Sequence, residues 1–593
     1  MERTEPIEAT VKMTAAANVR VVDEATGGAV PAQVLGAGPD GVHVLFLGAV
    51  PSMGFKVFTV SPSTAPDADS SLKVTASSLE NNRLSVRIDQ NGDIASIYDK
   101  EAKHELLRAP VMLELRDNPS PDWPAWEVLY DTVNGPAREF VSNPTVRVVE
   151  RGPVRVALEI TRKASGSTFV QRVRLAENGD RVDVENLVDW RSPNSELKAS
   201  FPFAASNPKA TYDLGLGTID RTNDEPDKYE VPAQKWADID DVSGTFGVGV
   251  LNDSKYGWDK PNDSTLRLTL LHTPRPNTGY TYQSSNDLGH HRFVYSIAGH
   301  SGDWRQGRLP VRATSLNQPL VAFQTTPHEG PIGRAFSLAW LASPNGGTNI
   351  EDSTGEVAIV AMKKAEDSDE VVVRLQERYG RPVRGLSVRL GVPILGAREV
   401  NAAEEEVGPF ALPVAGNRGR GGAGAAPNAP PPAPTNFTID LNPYQPRAIA
   451  LKLQPAWEAF TAAQARARAQ AAAPAGRGGG GGRAGGPAPL PVPPPVARRT
   501  AILTLPFNLD GVSTDAARGD GDFDGKKHTI AAELLPSRLT LDGVPFTFGS
   551  GAPGQKNVLV PAGQTIAVPD GFNRLYLLAS AVGGDVPATV TLG

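Results

Sequence analysis

LENNRLSVRIDQNGDIASIYDKEAKHELL, residues Leu79 to Leu107, is the stretch whose reading decides the fold. Leu84, Val86 and Ile88 alternate with Ser85 and Arg87, the period of two of a strand with one buried face. Asn91-Gly92 predicts a turn, because glycine takes positive φ at little cost. A second strand is expected over Asp93 to Asp99, and another turn over Lys100 to His104. The stretch reads as the first hairpin of a large antiparallel sheet.

Working outward, the same pattern repeats. Val146 to Val149, Val154 to Ile160, Phe169 to Leu175 and Arg181 to Leu187 alternate apolar with polar residues. Arg151-Gly152-Pro153 and Asn178-Gly179 punctuate them as hairpin turns. From Leu79 to about Ser343 the chain is nearly all strand and turn. So many antiparallel strands imply stacked sheets, not a parallel α/β fold. The fold class is all-β and multidomain, a large antiparallel supersandwich flanked by smaller β-sandwiches. The expected boundaries are a small β-domain at 1–62, a Ser/Pro/Asp linker at 63–76 and the supersandwich at 77–345. A β-sandwich follows at 346–456, with a disordered Gly/Ala/Pro/Arg insertion at 416–435. A low-complexity linker at 457–499 then leads to a C-terminal β-sandwich at 500–593.

At 593 residues the chain is too long for one core. A formal net charge of -7 gives no polyanion footprint, so nucleic acid is not an expected partner. The absence of cysteine excludes disulfides, thiolate metal sites and thiol nucleophiles. No apolar run is long enough to span a membrane. The N-terminal stretch MERTEPIEATVKM has neither a basic start nor an apolar segment, so no signal peptide is expected, and the compartment stays open. It goes almost directly into strand material, which fits a chain whose upstream portion is missing.

The opening hairpin carries a resemblance as well as a fold. Its N-x-R-L-x-V-x-I-D-x-N-G-x-I-x-S-I-Y-D-K pattern resembles the start of the C-terminal β-domain of α-mannosidases of glycoside hydrolase family 38. Further segments are similar to that family in the same order. They are Val30 to Gln33 and Val50 to Phe58; DNPSPDWPAWE (Asp117 to Glu127), with Pro124 where the family has Asp; Phe201 to Phe203; and Tyr212 to Arg221. Ala233 to Asp241 with Gly247 to Asp259 is the most specific, and Leu268 to Pro274, Asp287 to Ser296 and Ala361 to Ser368 complete the series. The resemblance implies a galactose-mutarotase-like supersandwich and a retaining glycosidase acting on α-mannosides.

In that family the nucleophile, the general acid and a zinc ion held by two His and two Asp sit on an N-terminal barrel. None of these carries over to a residue here, so no catalytic residue or cofactor is assigned to this chain. Zinc is expected in the absent catalytic domain, and that domain, separate or missing, is the expected partner besides a mannose-containing glycan. The chain alone is expected to be inactive.

The resemblance suggests that loops of the large domain complete the rim of the catalytic cleft. Trp236, Tyr280 and Tyr282 are candidates to stack on sugar rings. Asp238, Asn286, Asp287, His290 and Arg292 are candidates to bond hydroxyls. A sugar has apolar faces and hydroxyl edges, so it needs both kinds of group; buried packing is the competing role for Trp236. Two other functions remain open: a free-standing carbohydrate-binding protein, and a mutarotase-like isomerase pairing His290 or His291 with Asp238. Asp520, Asp522 and Asp524 copy the opening of an EF-hand loop, a weak calcium candidate, with Ala531 where the closing Glu belongs.

Overall fold

The computed structural model describes residues 2–14, 16–64, 70–120, 122–276, 279–328, 330–342, 354–413, 433–456, 458–461, 501–535, 539–541, 544–569 and 575–580. The chain divides into two compact units, Met1–Pro474 and Ala475–Gly593.

In the first unit the opening hairpin forms as expected. Strand Leu84–Ile88 pairs antiparallel with Ile94–Asp99. Leu84, Val86, Ile88 and Ile97 turn into the core. The Asp89 carboxylate accepts from the amides of Asn91 and Asp93 and holds the turn. Gly92 has φ +80°, and a Cβ there would lie 2.8 Å from Ile160 Cγ2 and from Pro144 Cβ. Both conformation and packing therefore demand glycine. The hairpin belongs to its own five-stranded sheet, not to the largest one. Strand Lys73–Thr75 pairs with Ser78–Glu80 at that sheet's edge, so the stretch expected as linker at 63–76 ends in regular structure.

Two larger sheets complete the sandwich. The six-stranded sheet runs, in spatial order, Glu139–Phe140, Met112–Asp117, Ser195–Pro202, Thr265–Thr273, Gly257–Asn262 and Val231–Pro232. The nine-stranded sheet runs Thr145–Arg151, Arg155–Ala164, Ser167–Ala176, Val182–Trp190, Gly289–Ser301, Phe246–Asn252, Trp236–Asp240, Lys209–Asp213 and Thr218–Thr222. Every pairing in both is antiparallel. One continuous apolar core joins the three sheets, with Phe169, Phe201, Trp190, Trp258 and Tyr295 among its largest members.

The other face of the nine-stranded sheet carries a ladder of charge. Glu159 lies between Arg147 and Arg172, and Glu185 between Arg172, Arg174 and Arg292. Opposite charges on neighbouring strands support one another in this way.

Arg3–Val11, Gly41–Val50 and Ala32–Gly38 form a small sheet, and Asn18–Asp23 pairs with Ala29–Val30 and Phe58–Ser63. Leu320 and Ala322 pack against this small core, and Ala335–Ser337 pairs with Gly54–Lys56. The end of the segment expected as supersandwich thus returns to the N-terminal sheets. A further sandwich is built from a three-stranded and a five-stranded sheet between Ala339 and Leu453 around Val373, Leu375, Phe437 and Ile449. The insertion expected at 416–435 and the linker at 457–499 lie almost wholly outside the described residues.

The second unit contains the short pairs Val512–Ser513 with Ile530–Ala531 and Leu539–Leu541 with Val544–Phe546. No helix among the described residues is long and apolar enough to cross a membrane.

Candidate functional site

Two loops leave the six-stranded sheet side by side. One follows strand Met112–Asp117, the other follows Thr265–Thr273. They begin joined, with Pro119 bridging Arg275 and the Arg275 amide donating to Asn118 O at 2.9 Å. Further out, the Ala125 amide donates to Gln283 Oε1 at 3.0 Å, and Gln283 is buried between the loops. Ser120 Oγ donates to Glu127 O at 2.5 Å and folds the first loop on itself. Thr273 Oγ1 donates to Asn286 O and accepts from Trp190 Nε1, which ties the second loop to the core.

This scaffold holds four aromatic rings together at the surface. Trp123 lies 6.1 Å from Tyr280 and 6.4 Å from Trp126, Trp126 lies 6.4 Å from Tyr280, and Tyr280 lies 6.3 Å from Tyr282, all between ring centroids. Trp123 is 55% exposed, Trp126 72% and Tyr282 70%. The rings cluster on loops pinned by part-buried hydrogen bonds, and three of the four are more than half exposed to water.

Beneath the loops, the six-stranded sheet turns a charged face inward. Glu196 and Lys198 alternate with the core residues Leu197 and Ala199 on one strand. Lys198 Nζ lies 3.3 Å from Glu196, 3.1 Å from Asp259 and 2.5 Å from Glu230, and donates to Thr269 Oγ1 at 2.7 Å. Arg267 pairs with Asp259. Arg116 pairs with Glu114 and donates to the carbonyls of Thr132, Val133 and Gly135, fixing helix Tyr130–Asn134 over the sheet. Burial pushes the Glu196 carboxyl up to about 7, with Lys198 acting in the opposite sense. Burial also lowers His272, the cross-strand neighbour of Glu196.

The residues expected at the rim divide into two places. Tyr280 and Tyr282 are in the aromatic cluster. Asn286 and Asp287 lie on the same loop, but Asp287 Oδ2 accepts from the His272 amide at 2.9 Å and serves the loop's own fold. His290 is 3.5 Å from Asp189 and Arg292 is 2.7 Å from Glu185, both on the charged outer face of the nine-stranded sheet.

Trp236 and Asp238 are not rim residues. Trp236 is buried against Trp304 at 5.1 Å, with Leu251 and Leu309 around it, and Asp238 is buried too, leaving no face for a sugar. The pairing of His290 or His291 with Asp238 does not occur, because Asp238 is hydrogen-bonded to His300 Nε2 at 3.0 Å. His290 stands ten residues from His300 on one strand, about 33 Å away at strand rise. Trp123 and Trp126 were legible only as members of the DNPSPDWPAWE motif. Their signal as site residues was the pair of indoles beside Pro124 in a segment too rich in turn formers to be a core strand.

The calcium candidate is not assembled either. Asp524 is taken by His528 at 2.7 Å and by the Lys526 amide, Asp522 by the Lys527 amide, and Asp520 by the Gly554 amide. Among the described residues, one group of three or more His, Asp or Glu converges as a metal would require: Asp238, Asp240 and His300.

Residues 79–277 match the glycosyl hydrolases family 38 C-terminal domain, and residues 356–447 the C-terminal β-sandwich domain of the same family. Residues 499–593 match the AziU2-like β-sandwich domain. The chain is 28% identical over 348 residues to α-mannosidase G of Dictyostelium discoideum, covering 55% of this chain and 30% of that protein. It is 27% identical over 368 residues to α-mannosidase 2C1 of Mus musculus, covering 58% of this chain and 33% of that protein. An α-mannosidase structure from Enterococcus faecalis superimposes with a TM-score of 0.57 at 14% identity, over 76% of this chain and 55% of that one. Two segments of the chain therefore match C-terminal domains of glycoside hydrolase family 38, and the chain spans about a third of the length of the curated relatives it matches.

Proposed function

We propose that this chain serves α-mannoside hydrolysis as the C-terminal part of a family 38 α-mannosidase and contacts the mannose-containing glycan through Trp123, Trp126, Tyr280 and Tyr282. The observation that carries the reading is the exposed four-ring cluster on two mutually pinned loops. Indole and phenol faces match the apolar C–H face of a pyranose. Neighbouring polar groups, Asp122 and Asn286 among them, match its hydroxyl rim. A retaining glycosidase needs a carboxyl pair about 5 to 5.5 Å apart across the scissile bond. In this reading that pair, and the zinc ion that binds the terminal sugar, belong to the catalytic barrel and not to residues of this chain.

The test is titration of the chain with an α-linked mannobiose, read by tryptophan fluorescence, alongside an aryl α-mannoside assay with and without a chelator. Saturable binding without hydrolysis is the expected result. Chelator-sensitive hydrolysis would overturn the assignment of the catalytic groups elsewhere, and no binding with or without a supplied barrel would overturn the sugar platform. Binding in the isolated chain alone, unchanged by a barrel, would instead favour a free-standing carbohydrate-binding protein.

A further inference from the structure

On the nine-stranded sheet, three neighbouring strands place Asp240, Gly247 and His300 in one cross-strand row. Asp238 stands two residues before Asp240, so the period of two puts both carboxylates on the face that carries His300. His300 Nε2 lies 3.0 Å from Asp238 Oδ1 and 3.9 Å from Asp240 Oδ1. One ligand atom from each of the three residues falls within 4.8 Å of the others.

The row is open at its centre. A Cβ on Gly247 would lie 2.5 Å from His300 Cε1 and 2.8 Å from Asp240 Oδ1, so any other residue would fill the space between the side chains. The second carboxylate oxygen of Asp238 and Oδ1 of Asp240 are buried with no donor from outside the cluster, and the two carboxyls face each other. Asp238 and His300 are almost wholly buried, whereas the Asp240 side chain keeps 25% exposure, which gives a route to water. The cover is segment 302–309, where Arg305 pairs with Asp303 at 3.0 Å and donates to Tyr379 O, while its charge also reaches Asp240.

We propose that Asp238, Asp240 and His300 bind a zinc-class divalent cation, with water in the remaining position. Tetrahedral zinc with bonds of about 2.0 to 2.1 Å needs ligand atoms about 3.3 Å apart, and the separations of 3.0 and 3.9 Å bracket that edge. Two carboxylates and one imidazole suit a borderline ion and neutralise its charge, while three protein ligands leave a position open. Without an ion, Nε2–H of His300 donates to Asp238 Oδ1; ion binding replaces that bond, the Nε2 proton leaving as the lone pair turns to the metal. The proposal stands apart from the sugar platform, and neither depends on the other.

The test uses the full chain, stripped with chelator and redialysed against zinc, with bound metal measured by mass spectrometry. One zinc per wild-type chain is expected above the level held by Asp240→Asn and by His300→Gln, with affinity falling at least tenfold in each. Asp303→Asn, which alters a neighbouring carboxylate outside the set, is expected to retain the ion. Cobalt substitution adds a readout, the visible absorption of a four-coordinate ion, lost in Asp240→Asn. Circular dichroism checks that each variant folds, and Asp240, partly exposed, tolerates its change best. Zinc content in wild type no higher than in Asp240→Asn, or no four-coordinate cobalt spectrum in wild type, overturns the proposal.

Discussion

The amide of Ala125 donates to the side-chain carbonyl of Gln283 across 3.0 Å, joining loops separated by 158 residues in sequence. Through this bond the indoles of one loop and the phenols of the other form one surface. Replacing Gln283 by Ala removes the link without touching an aromatic ring. A neutral hydrogen bond of this kind contributes about 1 kcal/mol, so affinity for mannobiose is expected to fall roughly fivefold. Titration followed by fluorescence checks this, and unchanged affinity would mean that the loops hold their positions without the bond.

Trp126 supplies the most exposed ring of the cluster. Trp126→Ala removes ligand-facing area and little packing, so stability is expected to change by less than about 0.5 kcal/mol. Affinity for an α-mannoside is expected to drop about tenfold, the loss typical of a central aromatic contact. Urea denaturation and calorimetric titration separate the two effects. A large loss of stability with intact affinity would mean that Trp126 is a packing residue.

How much of this could be read in advance follows from the range of each interaction. The opening hairpin was legible because alternation and Asn91-Gly92 act within a few residues. The aromatic cluster was half legible. Tyr280 and Tyr282 stood out, but Trp123 and Trp126 join them only through Pro119, Arg275 and Gln283, contacts between distant strands. The misreading of Trp236 and Asp238 has the same origin. Period two puts Trp236, Asp238 and Asp240 on one face, yet it is the segment carrying Trp304 and Leu309 that folds over that face and buries it. Strand order, not local pattern, brings His300 rather than His290 to Asp238.

Gly92 tests the hairpin that organises the large domain. Gly92→Ala would adopt φ +80° at a cost of about 1 kcal/mol and force its methyl to within 2.8 Å of Ile160 and Pro144. Overpacking of a filled site adds about 1 to 3 kcal/mol. A loss of about 2 to 3 kcal/mol in urea unfolding is expected, with sugar affinity in the remaining folded fraction unchanged. A neutral substitution would show that the turn relaxes freely.

Lys198 is the cation on which the buried face of the six-stranded sheet depends. Lys198→Met leaves Glu196, Glu230 and Asp259 without it, and removing one partner of a buried ion pair costs about 3 to 5 kcal/mol. Adding Glu196→Gln is expected to recover part of that loss, because the amide needs neither a partner cation nor a proton held above the carboxyl's ordinary range. Denaturation of the single and double variants measures the coupling. Equal stability of the two would place Glu196 outside the network.

Glu196 also gives the chain a definite pH response. Burial raises its carboxyl from 4.5 to about 7, against the pull of Lys198, so between those values the folded chain keeps a proton that the unfolded chain has released. Stability from this group is then complete below about 4.5 and lost as pH rises through about 7. Glu196→Gln has the same shape and no proton to lose. The difference in unfolding free energy, wild type minus Glu196→Gln, is expected to decline from pH 4.5 to pH 8 by at most about 3.5 kcal/mol, at roughly 1.4 kcal/mol per pKa unit. Taking that difference cancels the titration of groups that do not interact with Glu196. A difference that stays flat, or rises with pH, would mean that Lys198 holds Glu196 ionised in the folded chain and that ion pairing outweighs burial on this face.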